Sequence, residues 1–219
     1  MARVEDTLPR AVLWDLDGTL ADSRDYHWRS WGAALEAEGV RVTESDFLAS
    51  FGQRNNEILT RWLGARAEPQ LIQSIGEAKE VTYRQMIEAD GLAPLPGAAE
   101  WVRALHEAGW RQAIASSAPR LNVEVMRRVL GFELLIETYT GAEDVRAGKP
   151  DPEVFLTAAQ RLGVAPNRCI VVEDAAAGIE AARRAGMRSI GVGDGAQAGA
   201  DVAARSLADL PADAFDKLL

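Results

Sequence analysis

The chain has 219 residues, of which 47% are apolar, and carries a formal net charge of −9 at pH 7. This length is sufficient for a sizeable core, and the negative charge disfavours non-specific binding to nucleic acid or to an anionic membrane surface. The single cysteine, Cys169, excludes an internal disulfide, and no apolar run approaches the roughly 18 residues of a membrane span or resembles a signal peptide, so we expect a soluble cytoplasmic protein.

One strand is predicted near the amino terminus, over residues 11–15, and a long helical segment follows it. Helical spacing within that segment predicts helices over residues 24–39, 44–52, 54–64 and 68–91. Small polar residues near Asp22 and a stretch rich in proline and glycine after the last helix are candidate hinges. We therefore expect an all-helical cap domain of residues 23–91, inserted into a core domain of residues 1–22 and 92–219.

Helical and strand patterns alternate beyond residue 95. Helices are predicted over 97–109, 120–131, 151–163 and 175–186, and strands over 112–117, near Tyr139, over 169–174 and over 188–193. Together with the first strand, this alternation predicts an α/β fold with a doubly wound parallel sheet, whose sites lie beyond the carboxyl ends of the strands. The glycine-rich segment 191–199 lacks the spacing of a dinucleotide-binding loop and is interpreted as a turn at the end of the sheet.

Two apolar strands each end in a pair of acids. Asp15 and Asp17 follow the first strand, and Glu173 and Asp174 end the strand predicted over 169–174. If these strands are neighbours, the carboxylates meet at one edge of the sheet, where their repulsion requires a cation such as Mg²⁺. For either pair alone, helix capping and turn formation would be an equally good interpretation. The two pairs together favour a metal site.

Hydroxyl and ammonium groups follow two further segments. Ser116 and Ser117 end a predicted strand, and Lys149 precedes Pro150 at the start of a predicted helix. A hydroxyl, backbone N–H groups and one ammonium are suited to hold the three oxygens of a phosphoryl group. Each signal is weak alone, because paired serines often cap helices and a single lysine is usually exposed.

The order and spacing of four short motifs resemble the haloacid dehalogenase superfamily. The motifs are DLDGT at 15–19, SS at 116–117, GKP at 148–150 and VVED at 171–174. The helical insert is similar to the type 1 cap of that superfamily, and the branch it most resembles contains β-phosphoglucomutases and sugar-phosphate phosphatases. The resemblance implies a Rossmann-like core and phosphoryl transfer through an aspartyl phosphate.

The resemblance also implies a role for each motif residue. Asp15 would be the nucleophile, and Asp17 would be the general acid and base. Ser116 and Lys149 would hold the phosphoryl oxygens and balance their charge. The implied Mg²⁺ ligands are Asp15, Asp17 through its backbone carbonyl, Glu173 and Asp174.

Three residues of the predicted cap match positions that the mutases use. His27 corresponds to a hinge histidine, Arg54 to an arginine that grips a phosphate, and Lys79 to a lysine of the cap; with Ser117 they are the candidates for substrate binding. The alternative interpretation is that His27 packs, half-buried, on an amphipathic helix, and that Lys79 and Arg54 are solvated surface residues.

One departure from the mutase pattern favours hydrolysis. Ser116 and Ser117 are followed by Ala118 and Pro119, where the mutases carry polar and basic residues for a second phosphate; Arg120 is the remaining candidate for that task. We therefore predict an Mg²⁺-dependent phosphatase, expected to be a monomer, that acts on a small phosphorylated sugar or polyol. A β-phosphoglucomutase-type mutase is the alternative. A catalytically silent binding module is a third hypothesis, which the presence of every motif acid disfavours.

Overall fold

The computed structural model describes residues 8–50, 53–194 and 198–219. The strands in these ranges are β1 (Ala11–Trp14), β2 (Arg111–Ala115), β3 (Thr138–Thr140), β4 (Cys169–Glu173), β5 (Arg188–Val192) and β6 (Val202–Ala204). The helices are α1 (Arg24–Glu36), α2 (Glu44–Leu48), α3 (Asn55–Leu63), α4 (Pro69–Asp90), α5 (Ala98–Glu107), α6 (Arg120–Val129), α7 (Glu153–Leu162) and α8 (Ala176–Arg184). Short 3-10 helices lie at Gly64–Arg66, Ala142–Asp144, Pro166–Arg168, Leu207–Asp209 and Asp216–Leu218.

The strands form one parallel sheet in the order β3-β2-β1-β4-β5-β6. This is the doubly wound α/β arrangement that the alternating pattern predicts. Trp14, the last residue of β1, is paired with Ile114 of β2 on one side and with Val172 of β4 on the other. Because the three central strands end side by side, the residues that follow them meet at one edge of the sheet.

Alternate residues of β1 pack on opposite faces of the sheet. Leu13 belongs to an apolar cluster with Phe155 of α7, whereas Trp14 belongs to the cluster on the other face, with Phe215 near the carboxyl terminus. Trp14 is fully buried, and its indole N–H donates a hydrogen bond of 2.9 Å to Oε1 of Gln112. Both faces of the sheet are therefore covered, as a parallel sheet requires.

A third apolar cluster lies among the helices between β1 and β2. Its buried members are Trp31, Ala34, Leu35, Phe47, Ile58, Leu59, Leu63 and Ile75. Within the described part of residues 23–91, the named elements are helices and no strand is present, as the spacing predicts. The exact division into a cap of 23–91 and a core of 1–22 and 92–219 stays a prediction. Among the described helices, none combines the length and the apolar composition needed to cross a membrane.

Two details of the sequence interpretation are wrong. β5 is not the last strand, because β6 pairs with it and extends the sheet. The segment 191–199 is interpreted from the sequence as a turn at the end of the sheet, and its placement at the end of the sheet is therefore wrong. Residues 195–197 of this segment lie outside the described residues. The second cap helix, predicted over 44–52, ends at Leu48, and residues 51–52 also lie outside the description.

Candidate active site

A cavity of about 720 Å³ opens at the carboxyl ends of the central strands, between the sheet and the helical segment. It lies beside β1 and β4, where the strand order of the sheet reverses, which is the usual place for a ligand in such sheets. All ten candidate residues line this cavity: Asp15, Asp17, His27, Arg54, Lys79, Ser116, Ser117, Lys149, Glu173 and Asp174.

Lys149 binds two of the strand-end carboxylates. Its ammonium nitrogen lies 2.5 Å from Oδ1 of Asp15 and 2.5 Å from Oε1 of Glu173, and all three side chains are buried. Burial raises the pKa of Asp15, and the charge of Glu173 raises it further, against a smaller opposing effect of Lys149. Burial lowers the pKa of Lys149, but the two carboxylates outweigh burial and raise this pKa above its usual value. The lysine is thus held as an ammonium directly against Asp15.

Three carboxylates form a group that could hold a metal ion. One oxygen from each of Asp15, Glu173 and Asp174 lies within 4.8 Å of the others. Burial and the charge of Glu173 raise the pKa of Asp174 to about 7. Gly18 approaches this group closely: its φ is +91°, and a Cβ atom there would collide with the Asp174 carboxylate. Only glycine therefore satisfies both the backbone conformation and the space at this turn.

Asp17 lies apart from this acidic group in its side-chain contacts. Its Oδ1 accepts hydrogen bonds from the hydroxyls of Ser23 and, at 3.3 Å, Tyr83, and lies 3.4 Å from Nε2 of His27. Burial raises the pKa of Asp17, but the bonds and charge of His27, the bond from Ser23 and the charge of Lys79 outweigh burial and lower it. Its carboxylate form is therefore favoured in this arrangement.

Lys79 is an internal residue. Its side chain is 2% exposed, and its ammonium nitrogen lies 2.9 Å from Nδ1 of His27 and 2.8 Å from Oε1 of Glu80. Because an ammonium only donates, Nδ1 accepts and the imidazole proton lies on Nε2, facing Asp17. Burial lowers the pKa of Lys79, and the charge of Glu80 offsets this effect only in part. Burial, together with the charge of Lys79, also lowers the pKa of His27.

The surface interpretation of Lys79 is consequently wrong. The interpretation of His27 as a half-buried helix residue is confirmed, since its ring stacks on Tyr83 with 4.2 Å between centroids. The same ring nevertheless lines the cavity.

Arg54 is half-buried and reaches across to the loop before Lys149. Its guanidinium donates to the backbone carbonyls of Val145 and Arg146, both at 3.4 Å. None of the described carboxylates forms an ion pair with it, whereas Lys79 and Lys149 are both paired. The solvated-surface interpretation of Arg54 therefore does not hold.

The serines and Arg120 differ in their access to the cavity. Oγ of Ser116 accepts from the backbone N–H of Ala118 at 3.0 Å, so this serine stabilises the turn after β2 as well as lining the cavity. Arg120 is exposed, lies outside the cavity lining, and places its guanidinium 3.5 Å from Asp144. Arg120, the remaining candidate for binding a second phosphate, therefore contacts Asp144 instead.

The sequence interpretation missed several residues that contact the candidates. Tyr83 could have been found, because it follows Lys79 by four positions on one helix face. Ser23 and Glu80 carry no comparable signal, because their neighbours in sequence do not indicate that they are buried in the site.

Comparisons with known proteins show which family and which relatives the chain resembles. A family model described as haloacid dehalogenase-like hydrolase matches residues 9–186. Hexitol phosphatase A of Escherichia coli (strain K12) is 31% identical over 84% of this chain and 82% of its own length. Beta-phosphoglucomutase of Bacillus subtilis (strain 168) is 32% identical over 92% of this chain and 91% of its own length. The Arabidopsis thaliana protein SUPPRESSOR OF QUENCHING 1, chloroplastic, is 34% identical over 83% of this chain, which spans 18% of that longer protein.

Solved structures are similar over nearly the whole chain. Beta-phosphoglucomutase from Clostridium difficile superimposes with a TM-score of 0.85 and 26% identity, covering 96% of this chain and 97% of its own. CbbY from Rhodobacter sphaeroides, solved as a variant in complex with xylulose-(1,5)bisphosphate, gives a TM-score of 0.83 and 28% identity, covering 93% and 96%.

Proposed function

Because the chain belongs to the haloacid dehalogenase-like hydrolases, we propose that it is a phosphatase that hydrolyses a small phosphorylated sugar or polyol through an aspartyl phosphate. The observation that carries this proposal is the ion pair of Lys149 with Asp15 in a cavity that also contains Asp17. Relatives that are phosphatases or phosphomutases support a phosphoryl-transfer enzyme.

The acidic group fits Mg²⁺. Asp15, Glu173 and Asp174 offer hard oxygen ligands at close spacing. Burial, and after it the charge of Glu173, raises the pKa values of Asp15 and Asp174, and a bound cation would oppose both effects by stabilising the carboxylates. We propose that these three residues and the backbone carbonyl of Asp17 hold the ion. When bound, Mg²⁺ would supply positive charge to the phosphoryl oxygens.

In the first step, an oxygen of Asp15 attacks phosphorus and the bond from phosphorus to the sugar oxygen breaks. Asp17 donates its proton to that oxygen, so the sugar leaves as an alcohol. Lys149 and the hydroxyl of Ser116 hold the equatorial oxygens of the transferred group. The outcome is a phosphorylated Asp15.

In the second step, water attacks phosphorus and the bond to the Asp15 oxygen breaks, which releases inorganic phosphate. Asp17 accepts a proton from that water, and its carboxylate form, favoured by Ser23 and His27 here, is the form that this step requires. The first step requires its protonated form.

Hydrolysis is favoured over mutase activity by the second-phosphate region. A mutase must hold a bisphosphate at both ends, yet Arg120 is directed to Asp144 and the neighbouring cavity wall contains Ala118, Pro119 and the acid Glu143. Arg54 lines the cavity and forms no ion pair with a described carboxylate, so it is available to bind a phosphate, and this residue does not itself favour hydrolysis.

A β-phosphoglucomutase-type mutase is the second candidate. The contact of Lys79 with His27, and of His27 with Asp17, joins the helical segment to the proposed acid–base residue. Similarity to the Bacillus subtilis enzyme covers most of both chains.

Phosphorus NMR distinguishes the two candidates. The protein is incubated with Mg²⁺, β-glucose 1-phosphate and a catalytic amount of glucose 1,6-bisphosphate, with Asp15→Asn as the control. Release of inorganic phosphate by the wild type alone supports hydrolysis and justifies a wider panel of sugar and polyol phosphates. Growth of glucose 6-phosphate without free phosphate favours the mutase, and turnover by Asp15→Asn excludes the covalent mechanism.

A further inference from the structure

Glu80 of α4 is a buried carboxylate that the proposed chemistry does not use. It is 7% exposed. Oε1 accepts hydrogen bonds from Lys79 at 2.8 Å and from the side-chain amide of Asn55 at 2.7 Å, and Oε2 accepts from the side-chain amide of Asn122 at 2.5 Å. Both oxygens are therefore satisfied, which is the condition for burying a charge at an acceptable cost.

The donors come from three helices. Asn55 begins α3 and Lys79 lies on α4, whereas Asn122 lies on α6, 42 positions from Glu80. The carbonyl of Asn122 accepts a further bond of 2.9 Å from Arg84, one turn along α4 from Glu80. The side-chain amide of Asn122 is fully buried, and α4 binds both its nitrogen and its oxygen. The nitrogen donates to the Glu80 carboxylate and the oxygen accepts from the Arg84 guanidinium, which fixes the orientation of the amide.

The same carboxylate fixes the ammonium that faces the cavity. Lys79 contacts Glu80 on one side and Nδ1 of His27 on the other, and Nε2 of His27 lies 3.4 Å from Asp17. A continuous chain of polar contacts therefore runs from Asn122 on α6 to Asp17 after β1. Removing the Glu80 charge would leave a buried ammonium without its counter-ion.

We infer that Glu80 is a positioning residue for the proposed reaction: it holds Lys79, and through Lys79 the His27 ring, against Asp17 when α4 is docked on α6. The inference rests on the proposed function and adds a residue to it. Glu80 acts through two intermediates, and Asn122 couples its position to the docking of the two helices.

Exchanging the carboxylate and the amide between positions 80 and 122 separates two effects of Glu80: the positioning of Lys79 and the docking of α4 on α6. Glu80→Gln keeps the shape and an acceptor oxygen but loses the charge, and Asn122→Asp places a second carboxylate against Glu80. In the double variant an amide at position 80 again faces a carboxylate at position 122. Docking of α4 on α6 is then restored with the donor and acceptor exchanged, whereas Lys79 still lacks its counter-ion.

We expect Glu80→Gln to lower kcat about ten- to hundredfold with little change in KM, because misplaced reacting groups cost rate rather than binding. Asn122→Asp should lower Tm, because the loss of the amide donor and the repulsion of two buried carboxylates exceed the gain from an ion pair with Arg84. The double variant should recover Tm while its kcat stays at the level of Glu80→Gln. Glu77→Gln, the same substitution at an exposed position of α4, is the matched control and should behave as the wild type.

A spectroscopic readout tests the positioning without turnover. The chain contains two histidines, and His106 is exposed on α5, so its ring nitrogen resonances serve as an internal reference. Glu80→Gln should shift the ring resonances of His27 and leave those of His106 unchanged.

Two results would overturn the inference: recovery of kcat together with Tm in the double variant, or an unchanged kcat and unchanged His27 resonances in Glu80→Gln. A wild type that releases no phosphate from any sugar phosphate would instead contradict the proposed function. In that case the His27 resonances alone decide whether Glu80 positions the ring.

Discussion

The ammonium nitrogen of Lys149 lies 2.5 Å from Oδ1 of Asp15, although the two residues are 134 positions apart in the chain. The same nitrogen lies 2.5 Å from Glu173. One cation therefore balances two buried carboxylates that would otherwise repel each other, and it places positive charge where a phosphoryl group would be attacked.

Replacement of this cation should affect both rate and stability. Lys149→Met keeps the length of the side chain but leaves Asp15 and Glu173 buried without a partner, which we expect to lower the free energy of unfolding by roughly 3–5 kcal/mol in the absence of Mg²⁺. Loss of the charge should lower kcat by about 10²–10³-fold. Denaturant unfolding and steady-state phosphate release measure the two effects.

The matched control for Lys149 is Lys217→Met, which removes an exposed ion pair with Asp213. It should change neither quantity appreciably, because exposed pairs contribute little. Unchanged stability in Lys149→Met would contradict the proposed charge balance.

Gly18→Ala should disrupt the acidic group. The new Cβ would collide with the Asp174 carboxylate, in addition to a conformational cost of about 1–2 kcal/mol for alanine at positive φ. Gly39→Ala meets the same conformational cost, at φ +64°, with no atom near its Cβ. We expect both variants to lose stability, but only Gly18→Ala to lose turnover and Mg²⁺ affinity, as measured by phosphate release and isothermal titration calorimetry. Equal activity of the two variants would show that the contact with Asp174 has no functional effect.

Mg²⁺ should stabilise the folded protein through the acidic group. An ion that binds only the folded state raises Tm by mass action, so Tm should rise on addition of Mg²⁺ and fall again with a chelator. Asp174→Asn should abolish this dependence, because it removes one of the three clustered carboxylates. Asp209→Asn, an exposed aspartate outside the cavity, should retain it. Tm is measured by scanning calorimetry. If Mg²⁺ raised the Tm of Asp174→Asn as much as that of the wild type, the proposed ligand set would be contradicted.

Cys169 should be unreactive in the folded protein. It is fully buried and does not line the cavity, and burial raises the pKa of its thiol from 9.0 to about 12. Because the thiolate is the reactive form, a thiol reagent at mildly alkaline pH should label Cys169 only after the protein is unfolded. Rapid labelling under native conditions would contradict the burial of this strand.

The same thiol should contribute to the pH dependence of stability. Between pH 9 and about 12 the unfolded chain releases the Cys169 proton while the folded chain keeps it, so stability falls as the pH rises through this window. The fall should be smaller in Cys169→Ala, measured by denaturant unfolding at a series of pH values. An identical pH dependence in the two proteins would refute the contribution.

Local sequence patterns were sufficient to predict the parallel sheet and to locate the motif residues along the chain. A strand of apolar residues that ends in an acid is a local pattern, and parallel strands bring their carboxyl ends to one edge of the sheet. The proximity of Asp15, Ser116 and Glu173 also requires that β2, β1 and β4 are neighbours, which the strand order of the structure shows. The motif resemblance supplied their expected roles.

The partners of the long charged side chains, in contrast, depend on tertiary packing. From the sequence, Lys79 is a candidate for substrate binding, with a solvated surface position as the alternative; packing of α1, α3 and α6 around α4 buries it. Arg120, the first residue of α6, is a candidate from the sequence for binding a second phosphate, but its guanidinium lies 3.5 Å from Asp144 and outside the cavity lining. Such contacts join residues that are distant in sequence, and their free energies depend on burial, which local periodicity does not specify.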